Sequence, residues 1–99
     1  MTRDQIEELI HERGLDEEDI VLFTGLEDAF VGLAERFGLG PDGGEHRWVA
    51  VYDWRRIIEL HVAAGMDYDD AVEYVDYNVI GAYCGPGTPA ILYVNDETA

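Results

Sequence analysis

Trp48-Val49-Ala50-Val51-Tyr52-Asp53 alternates with period two, then gives way without a spacer to apolar residues at helical spacing. Trp54, Ile57, Ile58, His61 and Val62 form a first stripe, with Asp53 as its N-cap and Gly65 as its stop. Asp67 or Tyr68 opens a second, carried by Tyr68, Ala71, Val72, Val75 and Val79. A strand followed directly by two amphipathic helices predicts an α+β fold. The expected architecture is a small antiparallel sheet of two to four strands. Two consecutive helices, about 54–64 and 68–81, pack on one of its faces, with an N-terminal helix in addition.

The rest of the chain fits around that unit. Thr2-Arg3-Asp4-Gln5 has the form of a capping box, and Ile6, Leu9 and Ile10 line one face of the helix it starts, which Gly14 ends. Asp16-Glu17-Glu18-Asp19 is an acidic connector, and Ile20-Val21-Leu22-Phe23 reads as a short strand or a loop anchor. Residues 26–37 are ambiguous. Leu26, Phe30, Leu33 and Phe37 recur at helical spacing, yet Ala29, Val31 and Leu33 also alternate with Phe30, Gly32 and Ala34. Periodicity alone favours a helix there, although Gly32 weakens that reading. Gly38 to Gly44 is a loop, Gly85 to Pro89 breaks the chain again, and Ala90 to Val94 is a last short strand. At 99 residues the chain has room for a single domain, 1–99, comprising an N-terminal helix over 1–14 and an α+β core over 20–95. The expected core is Leu22, Phe30, Val49, Val51, Ile57, Ile58, Val72, Val75, Val79, Ile91 and Tyr93.

Charge sets the second constraint. Twenty-two acidic residues face six cations, all of them arginine, for a formal net charge of −16. A folded chain of this mass exposes roughly 5,700 Å², so about one uncompensated negative charge falls on each 350 Å². That exceeds what solubility requires and works against folding as salt is removed. Nucleic-acid backbones and anionic membranes are disfavoured partners; a basic protein surface is favoured. No apolar run reaches the length of a membrane span and no basic segment opens the chain, which reads as cytoplasmic. The single cysteine, Cys84, agrees with a reducing setting.

The densest acidic groups are Asp69, Asp70, Glu73 and Asp76 on the second core helix, and Asp16, Glu17, Glu18 and Asp19 in the connector. Asp69, Glu73 and Asp76 fall at i, i+4 and i+7, on one side of the helix, and residues 57–99 hold no arginine or lysine to offset them. Such a row is either a solvated face, a salt adaptation, or an imitation of the phosphates of DNA. The arginines gather at 47–56 instead, so the surface should be polarised.

Other constellations carry less. Asp67-Tyr68-Asp69 begins like a calcium loop but has Ala71 and Val72 where a ligand and a glycine belong. His11, His46 and His61 have no zinc-ligand spacing with Cys84, and His61 on an apolar stripe reads as a hydrogen-bonded, half-buried side chain. Cys84, His61 and Asn78 offer the residue types of a thiol nucleophile without an informative spacing, and Cys84 reads as a small buried hydrophobe. Arg47 beside Trp48, and Arg55 and Arg56 beside Trp54, could stack single-stranded nucleic acid but are better used in pairing with carboxylates. The Gly38–Gly44 loop lacks the lysine and hydroxyl of a phosphate cradle. No catalytic, metal-binding or cofactor-binding residue is assigned, and no cofactor is expected.

Residues 51–89 also carry a signature. Val51-Tyr52-Asp53, Gly65-Met66, Tyr68, Ala71, Glu73, Tyr77-Asn78, Gly81-Ala82-Tyr83, Gly85 and Thr88-Pro89 together resemble a group of small uncharacterised phage and prophage proteins. Gly25 to Gly38 is similar to the segment those proteins carry ahead of their first strand pair. The resemblance implies a β-hairpin, which moves residues 28–36 from helix toward strand. It also implies an apolar position at Cys84, against a nucleophile there. The longer Gly38–Gly44 loop departs from the pattern and leaves the hairpin register open.

Three functions stay in play. The first is a phage-type accessory protein binding a basic host or defence protein, with its acidic surface competing for a nucleic-acid-binding site. The second is a small enzyme or ligand binder using Asp53, Tyr77, Asn78 and Thr88. The third is a halophile housekeeping domain whose charge serves solvation. A homo-oligomer is left open.

Overall fold

The computed structural model describes residues 1–81 and 87–94. The α+β fold is as expected: a three-stranded sheet with helices packed on it. Helix α1 spans Arg3–Glu12, strand β1 Phe30–Leu39, strand β2 Glu45–Asp53, helix α2 Trp54–Ala63, helix α3 Tyr68–Val75 and strand β3 Ala90–Leu92.

The sequence signals at the helix ends act as their chemistry dictates. The Thr2 hydroxyl accepts from the Gln5 amide at 3.2 Å while the Gln5 side chain accepts from the Thr2 amide at 2.9 Å, closing the capping box on α1. Asp53 ends β2 and caps α2 at once, its carboxylate accepting from the amides of Arg55 at 2.9 Å and Arg56 at 3.4 Å. One residue therefore turns strand into helix with no loop between them. Gly65, at φ +112°, makes the turn into α3, a conformation side chains resist. Asp67 occupies the N-cap position of α3 but makes no capping hydrogen bond.

Residues 30–39 are a strand, so the periodicity argument for a helix fails and the hairpin implied by the resemblance stands. Tertiary pairing overrides the helical spacing of Phe30, Leu33 and Phe37. β1 and β2 pair antiparallel in the register Leu33↔Ala50 and Ala34↔Val49, with irregularities between Phe30 and Gly32 and between Arg36 and Leu39.

One further expectation needs correction. The sheet is mixed, not antiparallel throughout, because β3 runs parallel to β2, with Tyr52 opposite Ile91. Parallel neighbours need a crossover, and the two consecutive helices lie within it. The second core helix runs over 68–80, as expected, but its last turn is not regular: α-helix gives way after Val75 to a π turn over Asp76–Ile80. Asn78 lies in that turn. Its side-chain Nδ2 donates to the Tyr74 carbonyl at 3.1 Å, the group its own backbone amide would take in an α-helix. β-branched Val79 and Ile80 add little to hold the regular form.

The core lies between the sheet and the helices. Ile6 and Ile10 of α1, Ala50 and Tyr52 of β2, Ile57 and Ile58 of α2, and Ala71 and Val75 of α3 are buried in one cluster with Phe30. Burying each isoleucine contributes about 1.5–3 kcal/mol. Of the expected core, Phe30, Val49, Ile57, Ile58 and Val75 are buried, whereas Leu22, Val72, Val79 and Ile91 are partly buried and pack against it. Val51 is half-buried. Tyr93 does not belong there; it is 61% exposed. Ile20–Phe23 forms no strand and acts as an anchor, with the Phe23 ring 5.0 Å from that of Tyr52.

Candidate functional site

Helix α3 packs its apolar stripe on α2, with Ala71 and Val75 buried, and this packing turns its other side outward. Asp69, Asp70, Glu73 and Asp76 are all exposed, and none forms an ion pair among the described residues. From Asp69 to Asp76 the backbone advances about 10 Å, so four carboxylates fall along that length, a linear charge density near the one per 3.4 Å of a single DNA strand though unevenly spaced. Residues 57–99 hold eight carboxylates and no arginine, and Arg55 of α2 lines a cleft with Tyr68 at the start of α3. Residues 1–29 hold ten carboxylates and two arginines, and residues 30–56 hold four of each. The acidity is thus confined to the two ends of the chain around a neutral middle.

The connector behaves differently. Asp16 caps a short 3₁₀ turn over Glu17–Asp19, its carboxylate accepting from the Glu18 amide at 3.0 Å. Glu17 lies 3.5 Å from His11, and Glu18 and Asp19 line a cleft with His46, Arg47 and Trp48. Glu18 and Asp19 thus share a cleft with an arginine, Arg47, and no residue of the α3 group lines that cleft.

Among the described residues, the polar set Asp53, Tyr77, Asn78 and Thr88 is not seen to line a common cleft. Asp53 is occupied at the α2 N-terminus, Asn78 at the Tyr74 carbonyl, and Tyr77 is 85% exposed. His61 is the half-buried, hydrogen-bonded residue expected, with Nδ1 2.8 Å from the Ile57 carbonyl and its ring 5.1 Å from Tyr74. Cys84 lies outside the described residues, as does its proposed relation to His61. Among the described residues no group of three or more His, Cys, Asp or Glu side chains could hold a metal ion. No described helix is long and apolar enough to cross a membrane.

One feature escaped the sequence reading. Tyr93 stacks on Trp54 with ring centroids 5.7 Å apart, and the pair borders an open cleft of about 510 Å³ with Asp53, Arg56, Glu59 and Val94. Trp54 Nε1 is buried without a hydrogen-bond partner among the described residues. The Trp54-Arg55-Arg56 triplet marks one wall in sequence, but the other comes from the residue after β3, which parallel pairing alone brings alongside. No family model, curated protein or solved structure matches the chain.

Proposed function

We propose that the protein is a small acidic accessory factor that binds a basic protein surface and competes there with nucleic acid. The observation that carries this reading is the row Asp69, Asp70, Glu73 and Asp76, exposed, without ion pairs among the described residues and dense in charge on a helix whose other side is anchored. The helix fixes the backbone that carries the charges, so little backbone freedom is lost on binding. Long-range attraction between such a face and a cationic cleft raises association rates and falls as salt rises. The likeness of residues 51–89 to small phage proteins supports a setting inside a host cell, where the target is a host or defence protein. The connector carboxylates Asp16, Glu17, Glu18 and Asp19 take a lesser part, since Asp16 caps its own turn, Glu17 lies beside His11, and Glu18 and Asp19 share a cleft with His46 and Arg47.

The test is retention of basic proteins from a host extract on the immobilised chain, followed by elution with duplex DNA. The reading requires retained proteins that DNA displaces. A melting curve against salt tests the solvation alternative. Marked loss of stability below molar salt identifies the charge as salt adaptation, and indifference to salt removes that alternative.

A further inference from the structure

We infer that β1 is a self-association edge, at which two copies of the chain pair antiparallel about a two-fold axis through Ala34. The sheet order β1-β2-β3 leaves the outer edge of β1 without a strand among the described residues. Such an edge presents unpaired amides and carbonyls that accept another strand. Its ends carry exposed apolar side chains: Val31 is 46% exposed, and Phe37 is 71% exposed with its ring 5.8 Å from His46.

Charge selects the occupant. β1 holds one glutamate and one arginine, inside the neutral stretch 30–56 of a chain whose two ends are strongly acidic. Two copies can approach here with the least repulsion. The sequence of β1 also fits itself. Side chains opposite one another across an antiparallel pair share a face, so the axis must pass through a residue. Axes through Glu35 or Arg36 set like charges together. An axis through Ala34 sets Gly32 against the partner's Arg36 and Leu33 against the partner's Glu35 within the regular run, and brings the exposed Val31, just outside it, to the end of the seam where the partner's Phe37 lies. An axis through Leu33 leaves Phe37 beyond the end of the neighbouring strand. The irregularities next to Val31 and beyond Arg36 bound the regular run Gly32–Arg36, which holds pairing to one short register instead of open-ended stacking.

Sedimentation velocity on the full chain, from about 10 to 500 µM, tests this inference. Each copy carries the formal charge −16, so screening favours the pair and the dimer fraction should rise between about 0.05 and 0.5 M salt. That slope is opposite to the one expected for a basic partner, so failure here and failure of the proposed function are separable. Val31→Ser with Phe37→Ser should weaken dimerisation at least tenfold while leaving the far-ultraviolet circular dichroism unchanged. Under mild oxidation Ala34→Cys should give a disulfide joining the two introduced thiols across the axis, identified by peptide mapping, because opposed residues lie within disulfide reach. Arg36→Cys should not link to itself. A monomer throughout the range, a dimer untouched by the double substitution, or a folded Ala34→Cys dimer without that link overturns the inference. Should Ala34→Cys fail to fold, sedimentation of the double variant decides.

Discussion

The Tyr52 hydroxyl accepts a hydrogen bond from the Phe23 amide at 2.9 Å, tying the segment after α1 to the middle strand of the sheet. Tyr52 is fully buried, and its ring also meets Phe30 edge-on at 5.8 Å. Tyr52→Phe keeps both ring contacts and removes the acceptor alone. The expected loss is about 1–3 kcal/mol, the cost of leaving a shielded amide unpaired. Urea unfolding of the two forms checks it, and an unchanged slope shows that nothing else has altered.

The same residue gives the protein an alkaline weakness. Burial pushes the Tyr52 hydroxyl above the ordinary tyrosine value, outweighing the Phe23 amide, which pulls it the other way. The unfolded chain ionises at about pH 10 and the folded one higher. The stabilisation is therefore complete below about pH 10 and is lost as pH rises toward the folded value, because the unfolded state then binds fewer protons. Melting temperature measured from pH 8 to 11 should fall above pH 10 in the wild type and less steeply in Tyr52→Phe.

The two helix caps predict opposite outcomes for similar substitutions. Asp53→Ala removes bonds to two amides at the start of α2 and should cost about 0.5–2 kcal/mol. Asp67→Ala removes no capping bond from α3 and should stay within about 0.5 kcal/mol. Thermal unfolding of the pair decides whether capping follows the observed bonds or the residue type.

Glycine substitutions should divide in the same way. Gly65→Ala forces a side chain onto φ +112° and should cost on the order of 1–3 kcal/mol. Gly32 lies in β1 with nothing within 4 Å of an added Cβ, so Gly32→Ala should be neutral or stabilise by up to about 1 kcal/mol. Chemical denaturation of both variants measures the contrast.

Local signals in the sequence located the elements with short-range causes. The capping box at Thr2, the strand-to-helix switch at Asp53 and the stop at Gly65 each depend on a few neighbouring residues. What depends on distant partners was not legible. The parallel direction of β3 follows from how the helices return the chain, and no residue within Ala90–Leu92 encodes it. Phe30 to Phe37 kept helical spacing, and only pairing with β2 settles it as strand. The α3 carboxylates could be placed on one face because helical spacing is local. That Glu18 and Asp19 share a cleft with His46 and Arg47 depends on folding the long stretch of chain between them, and spacing says nothing of it.

The most direct test of the central claim compares association kinetics of the wild type with those of Asp69→Asn, Glu73→Gln and Asp76→Asn combined. The partner is a basic protein that duplex DNA displaces from the immobilised chain. The triple variant should fold at least as stably as the wild type, since like-charge repulsion along α3 is relieved. It should associate more slowly and show a flatter dependence of rate on salt. Equal rates and equal salt slopes for the two forms would contradict the account, leaving the α3 carboxylates a solvated surface.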